Sequence, residues 1–190
     1  MEYDTELWDK YTDDNANEQY PEISSFIYNV CIALGAKNVL EAGSNVGNDL
    51  ISFPKNFDVH GVDRNAHALE IAKKRHPNFT FKNESLSKIS YPDSHFDLVF
   101  TRDVLVHVPK DEIKQSITEL HRISKKWIMH MEYYGKDGQM IEWKRGQDRL
   151  WYRNMKELWS DFNVQIISDD EIPVELDFGK NRITIIRKID

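Results

Sequence analysis

Disulfide cross-links are excluded at the outset, because the 190 residues hold a single cysteine, Cys31, with no partner. It lies in the apolar run from Phe26 to Leu34 and reads as a small buried hydrophobe. Positive charge is also short. Against 32 aspartates and glutamates stand only 25 lysines and arginines, a formal net charge of -7, so the chain lacks the basic surplus with which a general nucleic-acid binder displaces counterions from phosphates. No apolar stretch approaches the length of a membrane span, and the first residues are acidic and polar rather than basic and then apolar. The expectation is a cytoplasmic protein with neither nucleic acid nor membrane as partner. A chain of this length can bury a core as one domain, without a metal or a cross-link.

What is present is a glycine-containing turn between two apolar runs. Val39-Leu40-Glu41-Ala42 leads into Gly43-Ser44-Asn45-Val46-Gly47, and Val59 to Val62 ends in Asp63, 20 residues after Gly43. Glycine lets the backbone approach a ligand without a Cβ clash, and an acid at the end of the next strand can accept hydrogen bonds from ribose hydroxyls. A nucleotide-type cofactor is therefore expected at these strand ends. A dinucleotide fingerprint would need glycine at positions 45 and 48, where the chain has Asn45 and Asn48. Their absence counts against a nicotinamide-dependent oxidoreductase. A non-catalytic module that keeps the cofactor fold stays open as an alternative.

Helix and strand periods alternate along the chain. Residues 21–34 carry Ile23, Phe26, Ile27, Val30 and Leu34 at the spacing of one helix face, with Gly35 placed to stop it. Strands are predicted at 38–41, 57–62, 79–82, 96–101 and 127–131. After Gly47 there is room for about two helical turns before Pro54. Asn65 is placed to cap a helix ending near Lys73, Lys74 and Arg75, where basic residues suit the negative end of the dipole. Residues 109–124 read as a helix with Ile113, Ile117, Leu120 and Ile123 inward; further on, 148–162 looks helical and 164–167 and 183–187 look like strands. The pattern predicts an α/β fold with a single doubly wound, mainly parallel sheet whose ligands bind beyond the C-terminal strand ends.

The string E-x-G-x-x-x-G at Glu41 to Gly47, with Asp63 after the second strand, resembles the first motifs of the class I S-adenosylmethionine-dependent methyltransferases. That resemblance implies a Rossmann-like domain over residues 21–190 with antiparallel C-terminal strands, preceded by an N-terminal helical cap segment over 1–20. It also implies S-adenosyl-L-methionine as cofactor, held by Glu41, Gly43, Ser44, Asn45 and Gly47 at the turn, and by Asp63 and Arg64 after the second strand. Asn83, Glu84 and Ser85 after the third strand, and Thr101 and Arg102 after the fourth, would complete the cofactor set.

Later strings narrow the likeness. Residues 96–101, Val104-Leu105-Val106-His107, Glu132-Tyr133-Tyr134 and Arg145-Gly146-Gln147-Asp148-Arg149-Leu150 together resemble the small methylases associated with pseudaminic acid biosynthesis. The stretch 142–153 has a local basic surplus interleaved with Trp143, Trp151 and Tyr152, which suits either a small anionic acceptor or a solvated helix start with its own ion pairs. On the first reading a small-molecule acceptor would meet Tyr11, Arg102, His107, Tyr133, Arg145 and Arg149. Catalysis would fall to His107, Glu132 and Tyr133. An imidazole titrates near neutral pH, so His107 fits a general base as well as it fits a polar residue at a helix start. O-methylation of a small, anionic metabolite or sugar acid is the expected reaction, with N-methylation possible. No metal ligand set is expected, and the sequence is silent on oligomeric state.

Overall fold

The computed structural model describes residues 4–142, 150–173, 175–176 and 181–189. Two helices open the chain. The first, α1 (Thr5–Asn15), starts where the Asp4 side chain accepts from the amide of Leu7; the second, α2 (Pro21–Ala33), starts at a proline, whose missing N–H is no loss in a first turn. Strand β1 (Asn38–Ala42) and β2 (Asp58–Asp63) follow, then α3 (Ala66–Arg75), capped by Asn65 as its sequence implies, and β3 (Thr80–Asn83). Next come β4 (Phe96–Arg102), α4 (Ile113–Ile123), β5 (Ser124–Tyr133), the short α5 (Met155–Leu158), β6 (Val164–Glu171) and β7 (Asn181–Lys188).

The strands form one sheet in the order β3-β2-β1-β4-β5-β7-β6. The first five are parallel, and β7 runs antiparallel to both β5 and β6. Neighbouring residues point to opposite faces. Val39, Leu98 and Met129 pack with Ile23, Ile27 and Cys31 of α2, whereas Leu40, Val99 and Ile128 pack with Ile113, Ile117 and Leu120 of α4. Both faces of the central strands are thus covered, which is why they read as continuous apolar runs rather than alternating ones. Strand order reverses between β1 and β4, where a parallel sheet opens a crevice at its C-terminal edge.

Three expected elements differ. The two helical turns after Gly47 shrink to one 3-10 turn, Asn48–Leu50. The Asp49 carbonyl accepts from the Ser24 hydroxyl of α2 at 2.8 Å instead of continuing a helix, and Pro54 follows. Of the helix expected over 148–162, only α5 forms; residues 148–149 lie outside the described residues. Trp151 is drawn into an antiparallel bridge with Met140 while its amide donates to the Val106 carbonyl at 2.9 Å, and Asn154 sets the true helix start by accepting from the amides of Lys156 and Glu157. The helix expected from 109 begins at Ile113, because the Pro109 carbonyl first closes a turn with the amides of Glu112 and Ile113.

Candidate active site

From the end of β1 the backbone turns through Gly43 at φ +87°, Asn45 at +43° and Gly47 at +75°. A Cβ on Gly43 would lie 2.2 Å from Cγ2 of Val104, so only glycine lets the loop after β4 close on this turn. Asn45 takes the left-handed conformation that, after glycine, asparagine tolerates best. Its amide donates to Asp63 Oδ2 at 2.8 Å, and its side-chain oxygen accepts from the Thr12 hydroxyl at 3.2 Å. The other Asp63 oxygen accepts from the amide of Asn65 at 2.8 Å. Burial pushes the Asp63 pKa up, while those amide donors pull it back.

Between this turn, the end of β2, the loop after β4 and α1 lies a cavity of about 230 Å³. Trp8, Tyr11, Thr12 and Asn15 face it from α1, at the i, i+3, i+4, i+7 spacing of one helix stripe. Thr12 is buried and pins the helix down, since it bonds Asn45 and also accepts from Asn65 Nδ2 at 3.1 Å. The Trp8 ring meets His107 edge to face at 4.8 Å.

The inner wall is acidic. Glu18, Glu41, Asp49, Asp63 and Asp103 face the cavity against the guanidinium groups of Arg64 and Arg102. Arg102 pairs with Asp49 at 3.1 Å and with Asp103 at 3.7 Å, and its guanidinium lies over the Tyr20 ring at 5.1 Å. Burial first, and the Asp49 carboxylate next, raise the Glu41 pKa well above the usual range. Glu41 Oε2 and Ser44 Oγ are buried with no hydrogen-bond partner among the described residues. Buried polar atoms are normally satisfied, and these two belong to residues that line the cavity, where a ligand's polar groups could meet them.

After β4 the chain enters the left-handed region at Asp103, φ +54°, and runs into a 3-10 turn, Leu105–His107. The Asn181 side chain of β7 donates to Asp103 Oδ1 at 2.7 Å. A non-glycine residue held at positive φ beside a cavity is strain maintained by its surroundings, a pattern that clusters at active sites.

Residues 39–126 match the methyltransferase domain family. This stretch is slightly under half of the chain and contains the turn, Asp63 and the loop after β4. The fold is that of the S-adenosylmethionine-dependent methyltransferases. It is shared with the 1,6-didemethyltoxoflavin-N1-methyltransferase of Burkholderia thailandensis, solved with 1,6-didemethyltoxoflavin and S-adenosylhomocysteine, at TM-score 0.72 and 18% identity, covering 97% of this chain and 85% of that one. The magnesium protoporphyrin IX methyltransferase of Synechocystis, solved with S-adenosylmethionine, superposes at TM-score 0.68 and 17% identity over 89% of this chain and 79% of that one. In sequence, the phosphoethanolamine N-methyltransferase of Triticum aestivum is 30% identical over 98 residues, 48% of this chain but only 18% of the wheat protein.

Within the methyltransferase fold, the cavity brings together Glu41, Gly43, Ser44, Asn45, Asp63, Arg64, Arg102, Tyr11 and His107 of the residues expected from sequence. Gly47 stands behind the turn, its carbonyl accepting from His76 Nε2 at 2.9 Å. Asn83, Glu84 and Ser85 do not line the cavity. Asn83 donates to the carbonyls of Asp63 and Arg64, Glu84 accepts from Ser90, and Ser85 bonds Ser87, so each is spent on local structure; Leu86 is the residue of that loop at the cavity. Thr101 is buried beneath the loop. Glu132, expected as a proton acceptor, is buried with its carboxylate taken up by backbone amides, and Tyr133 beside it also stays off the lining. Arg145 and Arg149 lie outside the described residues. Trp8, Thr12, Asn15, Asp49 and Asn65 were not expected at the cavity; the stripe at 8, 11, 12 and 15 is the pattern from which the α1 members follow.

Proposed function

We propose that the chain transfers a methyl group from S-adenosylmethionine to an oxygen of a small, anionic metabolite or sugar acid. The acidic inner wall carries the cofactor half of this reading. S-adenosylmethionine brings an ammonium and a sulfonium against one carboxylate, so its net positive charge suits this wall of carboxyl groups and favours the ionised forms of Glu41 and Asp63, which burial alone opposes. The pyrophosphate of a dinucleotide would set negative charge against the same groups, which disfavours a nicotinamide dehydrogenase. A merely binding module is disfavoured by Asp103 and His107, strained backbone and an imidazole, beside the same cavity.

When bound, the cofactor supplies an electrophilic methyl for in-line displacement. In this reading Glu41 and Asp49 receive the ammonium, Asp63 accepts from the ribose hydroxyls and Ser44 completes the polar contacts. The N-terminal segment acts as a cap over the rest of the domain, with Trp8 and Tyr11 keeping water from the reacting atoms. An acceptor that is already ionised needs no base; a hydroxyl acceptor would pass its proton to His107. The anionic acceptor is supported by the resemblance of the later strings to the pseudaminic-acid-associated methylases and by the basic residues Arg145 and Arg149. A second reading, N-methylation of an amine, is favoured by the excess of carboxylates among the described lining residues, since an amine acceptor meets attraction there.

Two measurements test this. Asp63→Ala removes a charged acceptor whose hydrogen bonds are worth roughly 1.5–3 kcal/mol each, so calorimetry should read S-adenosylmethionine affinity lowered about ten- to a hundredfold. Unchanged affinity would remove Asp63 from the cofactor. Incubating the protein with methyl-labelled S-adenosylmethionine and separate pools of acidic and amine metabolites should put label in the acidic pool. Label in the amine pool alone would replace O- by N-methylation.

A further inference from the structure

The loop that carries His107 is held by a buried polar chain that the proposed reaction does not itself use. Glu132, on β5, accepts from three successive amides: Val104 at 3.3 Å and Leu105 at 3.1 Å on Oε1, Val106 at 3.3 Å on Oε2. Behind it, the Thr101 side chain bonds Glu132 and also lies 2.8 Å from His130 Nδ1, while the Trp159 indole N–H donates to His130 Nε2 at 3.1 Å.

Proton inventory fixes the direction of every link. An indole nitrogen only donates, so His130 Nε2 accepts and the imidazole proton sits on Nδ1. Nδ1–H then donates to Thr101 Oγ1, which leaves the Thr101 hydroxyl proton for Glu132. The imidazole must be neutral for this order, and its complete burial pushes its pKa down to about 3. From the other side, Arg153 Nε donates to the Leu105 carbonyl at 2.8 Å and Nη2 donates to the Val108 carbonyl. Amides and carbonyls of one short loop are therefore both captured from below. Val104, the first residue captured, is the one that touches Gly43 of the cofactor turn.

We propose that Trp159, His130 and Thr101 are positioning residues: they orient the Glu132 carboxylate, which fixes the loop 104–106 against the cofactor turn and so sets His107 and the reacting methyl in register. This rests on the cavity being a methyl-transfer site, and it assigns Glu132 to the loop rather than to the acceptor. Fully satisfied buried chains of this kind specify one local geometry, and sub-ångström placement governs displacement rates.

Thr101→Val keeps the side-chain shape and removes both links, and Thr101→Ser restores the hydroxyl. In the full chain with S-adenosylhomocysteine present, Thr101→Val should lower hydrogen-exchange protection of the amides of Val104, Leu105 and Val106 at least tenfold relative to those of Ile117 and Leu120 in α4, with Thr101→Ser close to wild type. Nitrogen NMR should find His130 neutral and protonated at Nδ1 between pH 5 and 8. The initial rate of labelled methyl transfer into a small-metabolite extract should fall about tenfold at saturating cofactor, with cofactor affinity within threefold. Unchanged protection at 104–106, equal loss in α4, failure of Thr101→Ser to rescue, or an Nε2 proton on His130 would each overturn the proposal. A wild-type protein that transfers no methyl would instead overturn the functional reading, and the exchange and NMR results would still decide the loop's support.

Discussion

Gly43→Ala should take S-adenosylmethionine affinity down by more than a hundredfold, out of proportion to the single methyl added. At φ +87° an alanine costs roughly 1–2 kcal/mol of backbone strain. Its Cβ would also stand 2.2 Å from Val104 Cγ2, and overpacking of this kind typically costs about 1–3 kcal/mol. Val104 cannot simply step aside, because its amide is bonded to Glu132. The turn must move instead, and with it Ser44 and the Asn45 amide that braces Asp63. Gly35→Ala is the control: its φ is +70°, but among the described residues nothing lies within 4 Å of the added carbon. It should lower the melting temperature by a few degrees, for about 1 kcal/mol, and leave cofactor affinity unchanged. If calorimetry finds the two variants equally able to bind, close approach between turn and loop is not what the cofactor needs.

The second large effect is acid destabilisation through His130. Above pH 6.5 the imidazole is neutral both folded and unfolded, so it contributes no pH dependence. Below that, the unfolded chain takes up a proton that the buried ring, with a pKa pushed down to about 3, refuses. Stability contributed by this group is therefore lost as pH falls from about 6.5 toward 3, at about 1.4 kcal/mol per pH unit, or roughly 2 kcal/mol by pH 5. His60, His76 and His121 are shifted down as well, also mainly by burial, and add in the same direction. Glu41, Asp63 and Glu132 are shifted up and act oppositely, gaining relative stability as pH falls. Urea melts of wild type and His130→Gln at pH 7.5 and pH 5 separate the terms. The difference between the two proteins should shrink by roughly 2 kcal/mol at the lower pH. A difference independent of pH would mean that His130 titrates normally.

Much of this architecture is legible in the chain because the central strands repeat one local rule. Val39-Leu40, Leu98-Val99 and Ile128-Met129 each send one side chain to either face, and only a sheet covered on both sides wants such runs. Asn65 and the basic end of α3 likewise announce themselves through backbone chemistry within a few residues. Where the reading fails, the decisive partner is remote. Ser24, near the start of α2, ends the helix expected after Gly47, and Met140 pairs Trp151 in an antiparallel bridge, with Val106 accepting its amide, where its own neighbourhood suggested a helix.

The candidate site divides the same way. Gly43, Asp63 and their spacing are visible because a turn against a ligand needs those residue types. The task of Glu132 was not visible, since a carboxylate beside two tyrosines looks like chemistry until three amides are found closing on it. Asp49 was missed for the opposite reason: it lies in a turn that sequence drew as helix, and only the fold turns it toward Arg102.

Thr12 has a thermodynamic corollary. Its hydroxyl joins α1 to Asn45 and Asn65 together, so any undocking of α1 would be coupled to the state of the turn. Linkage is reciprocal: by whatever factor a docked α1 tightens the grip on a ligand at the turn, that ligand must tighten the docking of α1. On the proposed reading, the N-terminal helix would behave as a second ligand of the same site, covalently tethered and so at high effective concentration.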